Sequence, residues 1–507
     1  MTTRAARRRA ADRLPSRVPS GPAVLLAVGL VYLAMSQVSV WLNDPAKAGA
    51  GLWPAAGVTL GALVLLPRSR WGWVLSAVLL AEVGGDVARG YPLAAAVGWA
   101  AGNMVEPWLG AVLLRRHGNR AGALSPVAPL LRFLLLAVVA APVVGGTVGT
   151  AATVLFVGGG FGDVWPKYVV GDGVGVLTVA PLLLAWRTPR PYPRSPWEAA
   201  VLGLGVVVVG VLVLSDLAGS WSVSLAYLLI PFFTWAALRY GALGVAVLSV
   251  PVAVVGEWVT ANGLGAFAHA AEPAGGHAVV LLQLFLAVSV SSALVVAALV
   301  DDLDDRRQVE VRLRHQATHD ALTGLPNRAL LSAAVDAAVT ARHEPGRGPV
   351  LLVCDMDDFK SVNDTYGHAA GDALLVETGR RLRAGVRNDD LVARISGDEF
   401  VVLVRDADDV TVRRLAERVV AVVAEPFTVP AGARTPGAVL RAGLSVGTAR
   451  AVPAGSPDDL FAAADAALYA AKGQGRARVV HAGLDAGADS HGAVDPDAGI
   501  REAGSLP

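Results

Sequence analysis

Two adjacent carboxylates, Asp398 and Glu399, fall in the run R-I-S-G-D-E-F at 394–400, between the apolar stretches 391–393 and 401–404. The pattern predicts a β-hairpin whose small, Gly-containing turn holds both acids in the open. Carboxylates so placed repel one another unless a cation lies between them. A second acidic pair, Asp355 and Asp357, closes the apolar run 350–354, and residues two apart on a strand leave the same face. Oxygen-only ligands with open positions suit Mg²⁺, which keeps waters and prefers substrate phosphates. Two such ions can activate an attacking hydroxyl and hold a triphosphate. Cations for phosphate lie at Lys360 and at Lys472 and Arg476, the last two four apart on one helical face or at its end. Singly, each of these residues reads as a solvated charge, and the hairpin as an ordinary acidic turn. Together they favour phosphoryl or nucleotidyl transfer.

The elements that must position them follow from residue 320 in the order helix, strand, helix, strand–turn–strand, helix, strand, helix, strand. Strands alternating with helices beside an antiparallel hairpin predict an α+β sandwich with a mainly antiparallel central sheet flanked by helices. The lone cysteine, Cys354, excludes an internal disulfide framework. Its apolar run makes it a buried structural thiol rather than a nucleophile.

Upstream the chain changes character. Its 507 residues suggest two or more domains, and 54% of them are hydrophobic, too many for an average soluble protein. The excess lies between Pro22 and about Val300, as about ten apolar runs centred near 32, 59, 79, 104, 143, 176, 206, 231, 250 and 289, with eight as the alternative count. This half is therefore expected to be an all-α polytopic membrane domain. Arginines at 4, 7, 8, 9, 13 and 17, then in alternate loops at 68 and 70, at 115, 116 and 120, at 187, 190 and 194, and at 239, place the N-terminus and the C-terminal half in the cytoplasm. Five acids fall in or beside these runs: Glu82, Asp86, Glu106, Asp172 and Glu257. They read either as a ligand or ion site or as polar helix–helix contacts. Trp53, Trp71, Trp73, Trp165, Trp221 and Trp258 read as interfacial anchors.

Two resemblances follow. The segments L-W-P-A-A-G-V-T-L (52–60), G-N-M-V-E (102–106), V-G-D-G-V-G-V-L-T-V-A-P-L (170–182) and P-F-F-T-W-A-A-L-R-Y-G (231–241) resemble the MASE family of bacterial membrane-associated sensor domains. The blocks D-A-L-T-G-L-P-N-R (320–328), D-M-D-D-F-K-S-V-N-D (355–364), G-H-A-A-G-D (367–372), R-I-S-G-D-E-F (394–400), G-L-S-V-G (443–447) and A-D-A-A-L-Y-A-A-K-G-Q-G-R (464–476) resemble the GGDEF diguanylate cyclases, in family order and spacing. The implied organisation is a basic cytoplasmic tail (1–20), a MASE-like transmembrane sensor (21–300), a helical signalling linker (301–319), a GGDEF domain (320–480) and a disordered tail (481–507).

The second resemblance implies condensation of two GTP into cyclic di-GMP with release of two pyrophosphates, at half-sites facing each other in a homodimer. It implies two Mg²⁺ per half-site, with Mn²⁺ as the alternative ion, held by Asp355, the Met356 carbonyl and Asp398. Asn363 and Asp372, with His368 nearby, are implied to read guanine; Lys360 to stabilise phosphate charge; Lys472 and Arg476 to hold the β and γ phosphates; and Asp398 or Glu399 to take the 3′-hydroxyl proton. Arg387 and Asp390, an R-x-x-D whose Asp precedes the turn by six residues, match the family's inhibitory product site, whose alternative reading is a surface ion pair. The implied partners are GTP, cyclic di-GMP as product and inhibitor, a second copy of the chain and a lipid bilayer, with no nucleic acid polymer. The implied location is the inner (plasma) membrane. The chain departs from the family at Ser396, where the first Gly of the signature is expected, and at Ala477, where Asn is usual. If position 396 needs positive φ, Ser costs up to about 1 kcal/mol there. Two other readings stand beside the cyclase: a silent nucleotide receptor and a transporter with a nucleotide-binding regulatory domain.

Overall fold

The computed structural model describes residues 19–42, 51–119, 123–185, 195–214, 222–271, 278–341, 343–344, 347–452 and 455–482. The basic N-terminal tail, the arginines at 120, 187, 190 and 194, Trp221 and the tail from 483 lie outside these residues. The chain divides into two compact units, Met1–Arg307 and Gln308–Pro507.

The first unit is helical: α1 (Gly21–Leu42), α2 (Pro54–Leu65), α3 (Trp71–Ala88), α4 (Leu93–Arg116), α5 (Val127–Arg132), α6 (Ala141–Phe156), α7 (Phe161–Ala185), α8 (Pro196–Leu214), α9 (Ser222–Ala226), α10 (Leu229–Ala261), α11 (Gly265–Ala271) and α12 (Ala278–Thr318). A π-helical stretch, Phe133–Ala140, joins α5 to α6. Every expected apolar centre falls in a helix. Among the described residues, however, seven helices are long and apolar enough to cross a membrane. The difference from ten has three sources. The centres near 231 and 250 share α10, which breaks at Gly241 (φ 67). The α2 helix has only 12 residues, about 18 Å at 1.5 Å each, and ten of them are buried. The α4 helix carries Asn103 and Glu106 and ends in Arg115 and Arg116.

Polar groups inside this unit are paired largely with one another. Glu82 accepts from Tyr32 Oη (2.8 Å) and Asn103 Nδ2 (2.9 Å). Glu257 accepts from the Leu52 amide (2.8 Å) and from Gln283 Nε2. Trp71 corrects its expected role as an interfacial anchor. It is buried, donates to Leu63 O (2.8 Å) and lies under the Arg115 guanidinium, 4.9 Å from the ring centre. Arg115 also donates to Leu63 O and Leu66 O and so caps α2, which explains why this tryptophan is inside.

The second unit is a five-stranded sheet between two helical layers. Its elements are the C-terminal end of α12, then α13 (Arg328–Thr340), β1 (Val350–Asp357), α14 (Phe359–Tyr366), α15 (His368–Gly385), β2 (Leu391–Ser396), β3 (Glu399–Val404), α16 (Asp409–Val423), β4 (Phe427–Thr428), β5 (Val439–Leu440), β6 (Gly443–Arg450), α17 (Pro457–Gly473) and β7 (Val479–His481). The strand order is β2-β3-β1-β6-β7; only β6–β7 is parallel. Central β1 alternates. Val350, Leu352, Cys354 and Met356 enter a core with α15 and α16, while Leu351 and Val353 pack against α13 and α17. Period-two alternation buried on both faces reads in sequence as an unbroken apolar run. Cys354 is fully buried, and burial pushes its thiol far up, as expected of a structural thiol. The short β4–β5 ladder was not expected: two-residue strands carry no periodicity.

Candidate active site

The hairpin expected at 391–404 forms, with Gly397 and Asp398 as its two loop residues. Gly397 takes φ 46 at the first loop position, where primed turns favour glycine. Ser396, one residue earlier, ends β2 in ordinary backbone, so the feared cost of a missing glycine does not arise there. Its hydroxyl instead donates to Glu399 Oε2 (2.9 Å).

The strand register brings the two acidic pairs together. Asp355 lies directly across from Glu399, and the Met356 amide donates to Asp398 O (3.3 Å). Asp355 is half-buried and pairs with Lys472 Nζ (2.8 Å). Burial pushes its carboxyl up; Lys472 opposes this, and the charges of Asp398 and Glu399 add to it. Asp357 shares the face but does other work: it accepts from Ser445 Oγ (2.6 Å) and from the Ala477 amide (2.9 Å). It thereby ties the segment after α17 to the end of β1.

Lys472 lies in the last turn of α17. Arg476 is beyond the helix, exposed, at φ 61, so the two cations do not share a helical face. The α17 helix is held close to the sheet because Gly447 has no side chain: a Cβ there would collide with backbone atoms of Ala464 and Leu468. Ser456 starts α17 with a reciprocal capping box to Asp459.

Asn363, His368 and Asp372 gather where α14 passes into α15 at Gly367 (φ 86). Asn363 Oδ1 packs directly on Gly371. His368 and Asp372 are exposed. Lys360, in the first turn of α14, is exposed and has no hydrogen-bond or ion-pair partner among the described residues. Arg387 is exposed, whereas Asp390 is buried and turned inward, its Oδ2 accepting from the Arg387 amide (3.0 Å).

Two residues, Arg394 and Asp465, went unassigned in the sequence, and a third, Asp357, was assigned only in part. Arg394 donates through Nε and Nη2 to Gly397 O (2.9 and 2.7 Å) and through Nη1 to Asp320 Oδ1 (2.8 Å). It clamps the acidic turn to the segment after α12. Burial pushes Asp320 up, but the Thr323 amide and Arg394 outweigh it and hold the carboxyl below the ordinary range. Asp465 of α17 is pushed up by burial and then by the charge of Glu399, which puts a further acid beside the turn. Asp357 was seen as one half of an acidic pair, but its long-range partners were not. None of these contacts has a local sequence signature; only the presence of Arg394 inside the hairpin run hinted at one.

Among the described residues no three His, Cys, Asp or Glu converge on one point. The residues that the resemblance names, Asp355, Asp398 and the Met356 carbonyl, would supply two carboxylates and a carbonyl. That sparse set fits Mg²⁺, which leaves positions for water and phosphate. The repulsion on Asp355 from Asp398 and Glu399 is what a bound cation would relieve.

A family model described as "Diguanylate cyclase, GGDEF domain" matches residues 317–478, and one described as "MASE1" matches residues 22–302. The bifunctional diguanylate cyclase/cyclic di-GMP phosphodiesterase MucR of Pseudomonas aeruginosa is 37% identical over 225 residues, covering 42% of this chain and 32% of the relative. The diguanylate cyclase TpbB of the same organism is 38% identical over 185 residues, 35% of this chain and 41% of the relative. The crystal structure of the coiled coil and GGDEF domain of DgcB from Caulobacter crescentus, in complex with c-di-GMP, matches with 30% identity and a TM-score of 0.33 over 36% of this chain and 94% of that one. The chain thus spans less than half the length of these curated relatives.

Proposed function

We propose, for a chain that belongs to the MASE1 family and carries a GGDEF domain, a membrane-bound diguanylate cyclase controlled by its own membrane unit. Integral-membrane character follows from the MASE1 match and the seven apolar helices. The proposed reaction joins two GTP into cyclic di-GMP with release of two pyrophosphates, across a homodimer in which each copy supplies one half-site. The carrying observation is that Asp355, paired with Lys472, lies near the end of β1 directly across from Glu399 and within electrostatic reach of Asp398.

In the proposed site Asn363 and Asp372, with His368 beside them, bind guanine; polar groups left unpaired by adenine would reject it. Lys472 and Arg476 hold the β and γ phosphates, and Lys360 counters charge developing on the transferred group. Asp398 or Glu399 takes the 3′-hydroxyl proton as that oxygen bonds to the α-phosphorus and pyrophosphate leaves. Asp355, the Met356 carbonyl and Asp398 would hold Mg²⁺, two ions per half-site, whose charge when bound stabilises the phosphates. Arg387 and Asp390 form the proposed product-feedback site. The inner membrane, with the N-terminus and the cyclase unit in the cytoplasm, completes the reading.

The test is purified full-length protein with GTP and Mg²⁺, analysed for cyclic di-GMP. No product at protein concentrations that sustain dimers would sink the cyclase reading and leave the silent receptor. Arg387→Ala is expected to leave the initial rate unchanged and to relieve inhibition by added cyclic di-GMP; an unaltered inhibition curve would remove the feedback site.

A further inference from the structure

The membrane unit holds a second cluster of chemistry. Glu106 on α4 and Asp172 on α7 are 1% and 3% exposed, and their carboxyls lie within hydrogen-bonding reach of each other. Ionised carboxylates only accept hydrogen bonds, so this contact requires one of the two to carry a proton. The remaining oxygen, Glu106 Oε1, has no partner although it is buried.

The surroundings add negative charge and little that offsets it. Glu82 and Asp86 on α3 are both 6% exposed. Glu82 is fully served by the Tyr32 and Asn103 donors, so it needs no proton to satisfy its hydrogen bonds. Asp86 pairs with Arg89 (2.6 Å) and leaves Oδ2 unpartnered. Tyr32 lies within electrostatic reach of Glu82 and Asp172, and Tyr168 within reach of Asp172, Glu82 and Asp86. The α2 and α6 helices, packed against α7, contribute no charged side chain. Arg89 is committed to Asp86. Lys167 lies on α7 and Arg239 on α10, the latter paired with Glu198, but among the described residues no cation acts on Glu106 or Asp172, and two bare carboxylates in contact at this burial would repel strongly.

We propose that Glu106 and Asp172 form a proton-binding site: one proton, taken from the aqueous phase, bridges the two carboxyls and is the ligand that this part of the membrane unit holds. The O–H bond to the carboxylate oxygen forms as an O–H bond of a hydronium ion breaks and water is released; loss of the proton to water is the reverse. If the membrane unit controls the cyclase, this proton is one input it can read. Binding is measured without GTP, so a failure here and a failure of cyclase activity are separately visible.

Infrared difference spectroscopy on the full-length protein in lipid vesicles tests the site. The expected result is a carboxylic-acid carbonyl band at neutral pH that exchanges slowly with heavy water. Glu106→Gln and Asp172→Asn should each remove the same band. Glu82→Gln should leave it in place. Glu106→Asp, which keeps a carboxyl, should retain the band at a shifted position and reports that the fold tolerates change there. A wild-type spectrum with no buried carboxylic acid would overturn the proposal without any variant. So would a band that survives intact in both Glu106→Gln and Asp172→Asn.

Discussion

At the scale of single residues, the acidic turn is the sharpest feature. Asp398→Ala is expected to lower turnover at least about 100-fold while GTP binding weakens rather than disappears, measured by product formation and by calorimetry. Ser396→Gly should change kcat by less than about threefold, because position 396 carries no positive φ to relieve and loses one hydrogen bond to Glu399. Asp357→Ala separates positioning from chemistry. It removes the acceptor for Ser445 and the Ala477 amide, loosening the segment that carries Arg476. A rise in KM for GTP of about tenfold with a smaller change in kcat is expected, near 1.4 kcal/mol of binding. A loss confined to kcat would refute the positioning role. The residue pattern showed Asp355 and Asp357 as equals, and only the family resemblance singled out Asp355. The fold separates them by contact, delivering Ser445 and the Ala477 amide to Asp357 and Lys472 to Asp355.

At the scale of elements, the sheet was legible because β1, β2 and β3 are apolar runs with a turn between them. Helix α17 was legible as a helix, but its depth was not: Gly447 looks like any strand glycine until its Cβ is built. Gly447→Ala should push α17 outward and cost about 1–3 kcal/mol, read as a lower thermal midpoint. Arg381 on α15 shows the same blindness. It reads as a helix-surface charge, yet it is buried and donates to the carbonyls of Val423 (3.2 Å), Glu425 (2.7 Å) and Pro426 (2.9 Å). Its Nε also holds Glu377 (2.8 Å). Arg381→Lys should not rescue Arg381→Ala, since an ammonium cannot reproduce the fork; equal thermal midpoints for Lys and wild type would contradict this. Hydrogen bonds from Arg380 and then Arg381 hold Glu377 down at about 2. A depressed carboxyl stabilises the fold above its unfolded value near 4.5, and that contribution fades as pH falls toward about 2.

At the scale of the whole molecule, the hydrophobic clusters of the first unit share no residue with the two clusters that line the faces of the second unit's sheet. A fragment beginning at Gln308 is therefore expected to keep a cooperative thermal transition, monitored by circular dichroism; a fragment that unfolds without a transition would show that the second core is not self-sufficient. Both units were legible as separate classes from hydropathy alone. How many of the apolar runs become separate long helices was not, since Gly241 bends one long apolar helix and α2 buries its length inside the protein. The salt bridge between Lys472 and Asp355 carries one more consequence. Before any triphosphate arrives, that ammonium acts as a built-in competitor for the carboxylate. In the proposed site, a metal ion would have to displace that ammonium, and a triphosphate that drew Lys472 away would free the carboxylate for it. Lys472→Ala should accordingly tighten Mg²⁺ binding in calorimetry without GTP even as it weakens GTP binding, two effects that a purely phosphate-holding lysine would not produce together.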